Sequence, residues 1–101
     1  VQIGHNVRVG QNVIIVAQVG VGGSTIIGDG VVLAGQAGIA DHAEIEAGTT
    51  IGAQSGVASG KLAKGIYVGT PAKPFRVALK AYDLLFKLPE LYKNLEGKGN
   101  P

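Results

Sequence analysis

Branched aliphatic residues recur at every sixth position from Ile3 to Val57. This series comprises Ile3, Val9, Ile15, Val21, Ile27, Leu33, Ile39, Ile45, Ile51 and Val57. A second series, at the fourth position after each of these, is small or β-branched from Val7 to Ser55 and ends at Lys61. A hexad is too short for a helix and its turn, and β-branched side chains favour extended backbone. The repeat therefore predicts a short strand and a bend in each hexad, with one large and one small side chain directed inward.

The two residues between the inward positions form the predicted bend. Asn or Gly often occupies the second of them, as at Asn6 and Gly30, where a left-handed backbone conformation costs least. Similar tetrapeptides also recur in every third hexad, at 17–20 (AQVG), 35–38 (GQAG) and 53–56 (AQSG). We therefore expect three hexads to form one coil of a parallel β-helix with a triangular cross-section, which gives about three and a third coils over residues 3–62.

The repeat stops at Lys61, and the sequence beyond it has a different character. Residues 63–74 predict an exit loop, because they leave the hexad pattern and end in the rigid sequence Thr-Pro-Ala-Lys-Pro. The predicted organisation is a β-helix of ten hexads over residues 1–62, the exit loop over 63–74, and a short helical tail over 75–101.

The helical tail is predicted to be amphipathic. Pro74 suits the first position of a helix. Apolar residues then follow at intervals of 4, 3 and 4, at Phe75, Leu79, Tyr82 and Phe86. Pro89 predicts the start of a second short helix, which ends near Gly97. Helices of this length are not stable alone, so we expect the tail to pack against another surface, with symmetry-related copies of the chain as the first candidate.

Composition and charge narrow the class of protein. The 101 residues suffice for one domain at most, and they include no cysteine, which excludes disulfides, thiolate metal sites and thiol catalysis. The longest aliphatic run, Val13 to Ala17, is too short to cross a bilayer. Residues 1–60 carry one Arg against four acidic residues, whereas residues 61–101 carry eight Lys or Arg against three. Because no aromatic residues interleave with basic ones along the repeats, we do not expect nucleic-acid binding.

Stacking of the coils predicts which polar residues meet. His5, Gly23 and Asp41 are each three hexads apart and share one corner position, and His42 belongs to the column beside them. The only two histidines thus lie at one corner, two coils apart, or roughly 9 to 10 Å along the axis. Histidine at an exposed turn can act as a general base, and the backbone N–H of a glycine at a turn can donate to an oxyanion. Base and donor on adjacent coils suit acyl transfer from a thioester; the alternative is that both histidines are merely tolerated at turns.

Three further possibilities follow from the same columns. The two histidines are too far apart to share an ion within one chain, so a metal site is not expected. The glycines of Gly20 to Gly23 resemble a phosphate-binding loop, but no Gly-Lys-Ser/Thr follows and the hexads already account for them. The column of Gln18, Gln36 and Gln54 could line a groove, although a ladder of side-chain hydrogen bonds is the favoured interpretation.

Four segments of the chain resemble the C-terminal half of the UDP-3-O-acylglucosamine N-acyltransferases, hexapeptide-repeat enzymes of lipid A synthesis in Gram-negative bacteria. These segments are 1–10 (VQIGHNVRVG), 18–24 (QVGVGGS), 35–42 (GQAGIADH) and 69–74 (GTPAKP). The hexads and the last segment are common to many acyltransferases, whereas the pair His5-Asn6 with a second histidine at position 42 is much more specific.

The resemblance implies a homotrimeric, left-handed parallel β-helix, with active sites in clefts between subunits. It implies transfer of a 3-hydroxyacyl chain from acyl carrier protein to the 2-amino group of a UDP-linked, 3-O-acylated glucosamine. His5 matches the general base, Gly23 the oxyanion-hole amide, and His42 a second active-site histidine with a positioning or polarising role. No bound cofactor is implied beyond the phosphopantetheine thioester of the acyl carrier protein, which is a co-substrate. A cytoplasmic location follows, with at most peripheral membrane association.

The chain departs from the family at its front, where the uridine-binding N-terminal domain and the first coils have no counterpart. A β-helix that starts at Val1 exposes an unpaired strand edge, so we expect the chain to be part of a longer one. The acidic carrier protein is a candidate partner for the basic tail. Two alternatives remain open: a hexapeptide-repeat sugar acetyltransferase that uses acetyl-CoA, and a trimeric scaffold without catalytic activity.

Overall fold

The computed structural model describes residues 1–99 and contains thirteen short strands followed by one helix. The strands are β1 (Gln2–Ile3), β2 (Arg8–Val9), β3 (Ile14–Ile15), β4 (Gly20–Val21), β5 (Ile26–Ile27), β6 (Val32–Leu33), β7 (Gly38–Ile39), β8 (Ala43–Ile45), β9 (Thr50–Ile51), β10 (Gly56–Val57), β11 (Gly60–Leu62), β12 (Ile66–Val68) and β13 (Lys73–Pro74); the helix is α1 (Phe75–Gly99). Every third strand pairs in parallel with the next, in the orders β1-β4-β7-β10, β11-β8-β5-β2 and β12-β9-β6-β3. The fold is the predicted left-handed parallel β-helix, with about four turns.

The register of the strands confirms that three hexads form one coil. Gln2 pairs with Gly20, and Gly20 pairs with Gly38, so the Cα partners of neighbouring coils are three hexads apart in the sequence. The large inward series is buried from Val21 onward, and Leu33 and Ile51 are fully enclosed. Ile3 and Val9 in the first coil are 50% and 44% exposed, because no described coil stacks beneath them.

Three flat faces with different chemistry surround this core. The outward residues of the β1-β4-β7-β10 sheet are Gln2, Gly20, Gly38 and Gly56, which we name the glycine face. Those of the β11-β8-β5-β2 sheet are Arg8, Ile26, Glu44 and Lys61, which form the charged face. Those of the third sheet are Ile14, Val32, Thr50 and Ile66, which form the apolar face.

The prediction of an exit loop over residues 63–74 is wrong in part, because the β-helix continues there. Strand β11 pairs Leu62 with Ile45, one residue short of three full hexads, and β12 pairs Tyr67 with Ile51, two residues short. The last coil is therefore shortened at two places, which moves its inward residues out of the hexad register. Counting by hexads consequently missed β12, although its backbone hydrogen bonds continue the stack.

The helical tail also differs from its prediction. Pro74 belongs to β13, which pairs antiparallel with β12, and the helix begins one residue later. Pro89 lies inside α1 instead of starting a second helix. Pro89 has no N–H to donate to the carbonyl of Leu85, so α1 lacks one backbone hydrogen bond there. The residues around it are mostly good helix formers, which keeps the helix continuous.

Most of α1 extends away from the coils. It packs on β12 and β13 near its start, where Ala78 is buried. A second apolar stripe, with residues 4, 3, 4, 3 and 4 apart, runs along the helix at Val77, Ala81, Leu84, Leu88, Leu91 and Leu95. All of these except Ala81 are large side chains that are about half exposed or more. Within residues 1–99, no helix combines the length and the apolarity that a membrane crossing requires.

Replacing Ile27 with Ala should destabilise the protein by about 2–5 kcal/mol, because its side chain is 1% exposed and lies between two coils. Ile26 precedes it in the same strand but points outward and is 42% exposed, so Ile26→Ala is the matched control and should cost well under half as much. Urea denaturation followed by circular dichroism measures both. Equal losses for the two variants would contradict the assignment of inward and outward positions.

Candidate active site

The candidate residues lie at the corner between the glycine face and the charged face. The second residue of this corner has a left-handed backbone in three successive coils: φ is 61° at Asn6, 57° at Ser24 and 59° at His42. This confirms the conformation predicted for the bend. Asn and His adopt it more readily than most residues other than glycine, so His42 is also acceptable here for purely conformational reasons.

Backbone hydrogen bonds between coils hold the corner residues in register. The N–H of Ser24 donates to the carbonyl of His5 over 2.8 Å, and the N–H of His42 donates to the carbonyl of Gly23 over 2.9 Å. His5, Gly23 and Asp41 therefore follow one another up the stack, with His42 beside Asp41 on the third coil. The predicted columns are present, with both imidazoles exposed to solvent and Gly23 half-buried.

The amide of Gly23 already has an acceptor, a contact that was not foreseen from the sequence. Its N–H donates to Oδ1 of Asp41 over 2.9 Å. A Cβ on Gly22 would collide with this same carboxylate oxygen and would lie 2.5 Å from the Asp41 backbone nitrogen. The carboxylate therefore lies close against the backbone of the preceding coil, in a space that only a glycine at position 22 leaves open.

The same arrangement occurs at the neighbouring corner. The N–H of Gln11 donates to Oδ1 of Asp29 over 2.7 Å, and a Cβ on Gly10 would collide with that oxygen. In both cases a Gly precedes the donor, and the Asp follows the donor by three full hexads. This repeated spacing is the sequence signal that could have identified the contact between Asp41 and Gly23.

A shallow groove on the glycine face leads to the corner. Its volume is about 530 Å³, and its lining includes Gln2, Gly4, Gly20, Gly22, Gly38 and Ala40. Apart from the adjoining residues of the chain, no described atom lies within 4 Å of the Cβ positions that Gly20 and Gly38 lack, so the missing side chains leave open space. The groove closes at Gly56, where a Cβ would lie 2.9 Å from Cγ2 of Thr70. The chain that leaves the last coil thus covers the Gly56 end of the glycine face.

The glutamine column forms the favoured ladder at a different corner. Nε2 of Gln36 donates to Oε1 of Gln18 over 2.6 Å, and Nε2 of Gln54 donates to Oε1 of Gln36 over 2.8 Å. All three residues have a left-handed backbone. The glutamines thus link the coils to one another. Within residues 1–99, no group of three or more His, Asp or Glu side chains is placed to hold a metal ion.

Comparison with known proteins supports the sequence resemblance. The chain is 59% identical over 95 residues to a UDP-3-O-acylglucosamine N-acyltransferase from Desulfotalea psychrophila (strain LSv54 / DSM 12343). The resemblance to these enzymes is confirmed. The match covers 94% of the chain but only 28% of that relative's length.

Comparisons with protein-family models and with solved structures give weaker results. No protein-family model matches the chain. Among solved structures, the acetyltransferase domain of PglB from Neisseria gonorrhoeae FA1090 aligns with 73% of this chain and 54% of its own, at a TM-score of 0.39 and 17% sequence identity. Neither of these two comparisons identifies site residues.

Replacing Gln36 with Ala should lower the free energy of unfolding by about 1–2 kcal/mol, because the variant loses both ladder bonds. Gln36→Gly loses the same bonds but tolerates a φ of 63°, so it should be less destabilising than Gln36→Ala. Urea denaturation of the two variants provides the comparison. An Ala variant as stable as the unmodified protein would show that the ladder does not contribute, and equal stability of the Ala and Gly variants would show that the φ angle does not.

Proposed function

We propose that the chain carries the catalytic corner of an N-acyltransferase that moves a 3-hydroxyacyl group from acyl carrier protein to the 2-amino group of a UDP-linked, 3-O-acylated glucosamine. The observation that carries the proposal is the placement of His5 one coil from the backbone amide of Gly23, at the end of the open groove on the glycine face. The 59% identity to a UDP-3-O-acylglucosamine N-acyltransferase supports the choice of substrate class.

The chemistry assigns one task to each group. An imidazole nitrogen of His5 takes a proton from the sugar amine as the amine nitrogen attacks the thioester carbonyl carbon. A C–N bond forms, and the carbonyl oxygen becomes an oxyanion that the Gly23 N–H stabilises. Collapse of this intermediate breaks the C–S bond, and the departing thiolate receives the proton from His5. The products are an amide and the free thiol of the carrier.

His42 has a supporting role in this scheme. It lies two coils from His5, which is too far for the same proton but close enough to meet another part of a substrate that spans the corner. We assign it to positioning or polarising the substrate. This leaves His5 as the residue that handles the amine proton.

The carrier protein is proposed to dock above this corner. The N–H of Gly60 donates to the carbonyl of His42 over 3.3 Å, so Lys61 follows the corner one coil above His42. Lys73, Arg76 and Lys80 add further positive charge on β13 and the start of α1, which lie beside β12 of the third sheet. An acidic carrier would be attracted by this charge, and its thioester arm would reach His5 and Gly23 along the corner, beside the covered Gly56 end of the groove. A cytoplasmic location, where carrier and nucleotide sugar meet, is part of the proposal.

The active form is proposed to be a homotrimer. The apolar face of the β-helix and the second apolar stripe of α1 both expose large side chains that one chain cannot cover. Intervals of 4 and 3 along that stripe are those of a coiled-coil seam, so helices from neighbouring copies can pack along it. A second copy packed against the glycine face would also cover the groove beside His5.

Replacing His5 with Ala should reduce turnover by about 10²–10⁴-fold without lowering the melting temperature, because the exposed imidazole contributes its proton transfer and little packing. Gln11→Ala, at the same position of the next corner, is the matched control and should retain full activity. The assay uses the natural gene product that contains residues 1–101, with 3-hydroxyacyl carrier protein and acetyl-CoA offered separately as donors. Unchanged turnover in the His5 variant would refute the catalytic role, and a preference for acetyl-CoA would refute the proposed donor.

Replacing Leu88 with Glu should shift the protein from trimer toward monomer, because the new charges would have to be buried in the helical seam. Lys93→Glu introduces the same residue on the side of α1 opposite the seam and should leave the trimer intact. Sedimentation equilibrium over a range of protein concentrations measures the mass of each variant. A trimer of equal stability in both variants would exclude this stripe from the interface.

A further inference from the structure

The carboxylate of Asp41 occupies the same amide hydrogen that the proposed reaction needs. We propose that Asp41 acts as a latch on the Gly23 amide. In the resting protein its carboxylate accepts the hydrogen bond from this N–H, and the carboxylate must rotate away before the amide can donate to the oxyanion. Asp41 is therefore a positioning residue that sets how available the donor is. This inference rests on the proposed function, since it takes Gly23 to be the oxyanion donor.

The stack itself makes this amide available. The N–H of Gly22 points up to the carbonyl of Ile39 over 2.7 Å, and the N–H of Ser24 points down to the carbonyl of His5 over 2.8 Å. Gly23 lies between the two, at the point where the chain turns the corner. Its N–H donates to a side chain of the next coil instead of a backbone carbonyl.

Asp41 is the right length and in the right place to capture that hydrogen. It occupies the first position of the same corner one coil later, so its Cα lies about one strand spacing from that of Gly23. A single methylene then brings Oδ1 to the amide at 2.9 Å. The matching bond from Gln11 to Asp29 shows that a second pair of residues one coil apart forms the same contact at another corner.

The latch can open without disturbing the coil. Oγ of Ser59 donates to the backbone carbonyl of Asp41, which ties the main chain of this corner to the next coil. The carboxylate is exposed, and its described hydrogen bond is the one to Gly23. Rotation about the Cα–Cβ bond therefore releases the amide while the backbone stays in register.

Opening is required because carboxylate and oxyanion compete for one hydrogen. An amide N–H has a single proton to donate, and a carboxylate is a strong acceptor for it. A negative charge that stayed at this position would also repel the developing oxyanion. The free energy of releasing Asp41 is thus added to the barrier of the reaction, and it lowers kcat more than it changes KM.

The test compares Asp41→Ala with Asp29→Ala in the natural gene product that contains residues 1–101. Both variants remove the same carboxylate-to-amide contact, but only Asp41 faces the proposed donor. Asp41→Ala should raise kcat by about tenfold with little change in KM, and Asp29→Ala should leave both constants unchanged. Asp41→Asn keeps a neutral acceptor and should give an intermediate kcat, which also guards against misfolding of the Ala variant.

A measurement that does not depend on activity accompanies the kinetics. With ¹⁵N-labelled Gly and Gln, the amide proton of Gly23 should move upfield in Asp41→Ala, and that of Gln11 should move upfield in Asp29→Ala. An unmoved Gly23 signal in both Asp41 variants would overturn the proposal, since the bond would not exist in solution. A moved signal with unchanged or reduced kcat would also overturn it, provided that His5→Ala still abolishes turnover. If His5→Ala has no effect either, the proposed function itself fails.

Discussion

Parallel hydrogen bonding between residues one coil apart is the constraint on which the rest of this structure depends. Once Gly20 pairs with Gly38, every residue between them has a fixed neighbour above and below. The inward series then stacks into a continuous aliphatic column, and the outward series into three faces of different character. The interior of each coil is narrow, because each of its three sides is a single short strand, and the side chains of Ile, Val and Leu are large enough to fill it.

The same register converts distant sequence positions into neighbours at a corner. His5, Gly23 and Asp41 are brought together by backbone bonds, without a loop or an ion pair to hold them. Corner positions differ from strand positions in one respect: at Gln11 and Gly23 the N–H of the first corner residue meets a carboxylate instead of a backbone carbonyl. This accounts for two features at once, namely a backbone donor beside a histidine and a carboxylate that captures it. Stability and the proposed chemistry therefore draw on the same group.

Prediction from the sequence succeeded where the period is strict and failed where it changes. Ten branched aliphatic residues at every sixth position were enough to predict the coil and its inward residues, and the residues between them predicted the left-handed corners. The shortened last coil could not be found in the same way, because two omitted residues move Leu62 and Tyr67 off the hexad count while backbone pairing continues. The usual preference of proline predicts a helix start at Pro89, but the residue lies inside a helix of 25 residues, which tolerates one missing backbone hydrogen bond.

The site was predictable as a column but not as a set of contacts. Spacing alone brought the two histidines and Gly23 to one corner, while the reach of the Asp41 side chain depends on the missing Cβ of Gly22. Such a contact is decided by fractions of an ångström between coils, which a repeat pattern does not contain. The closed end of the groove at Thr70 has the same origin, since it depends on how the exit segment leaves the shortened coil.

A site built on a stack of coils can change its dimensions only in steps. Moving a corner residue by one coil shifts it by one strand spacing, roughly 5 Å. Moving it by a single residue changes the direction in which its side chain points. Intermediate separations between His5 and His42 are not accessible by sliding along the chain. Diversification within this architecture would therefore proceed through side-chain length at fixed positions, with whole coils added or removed where a larger change in reach is needed.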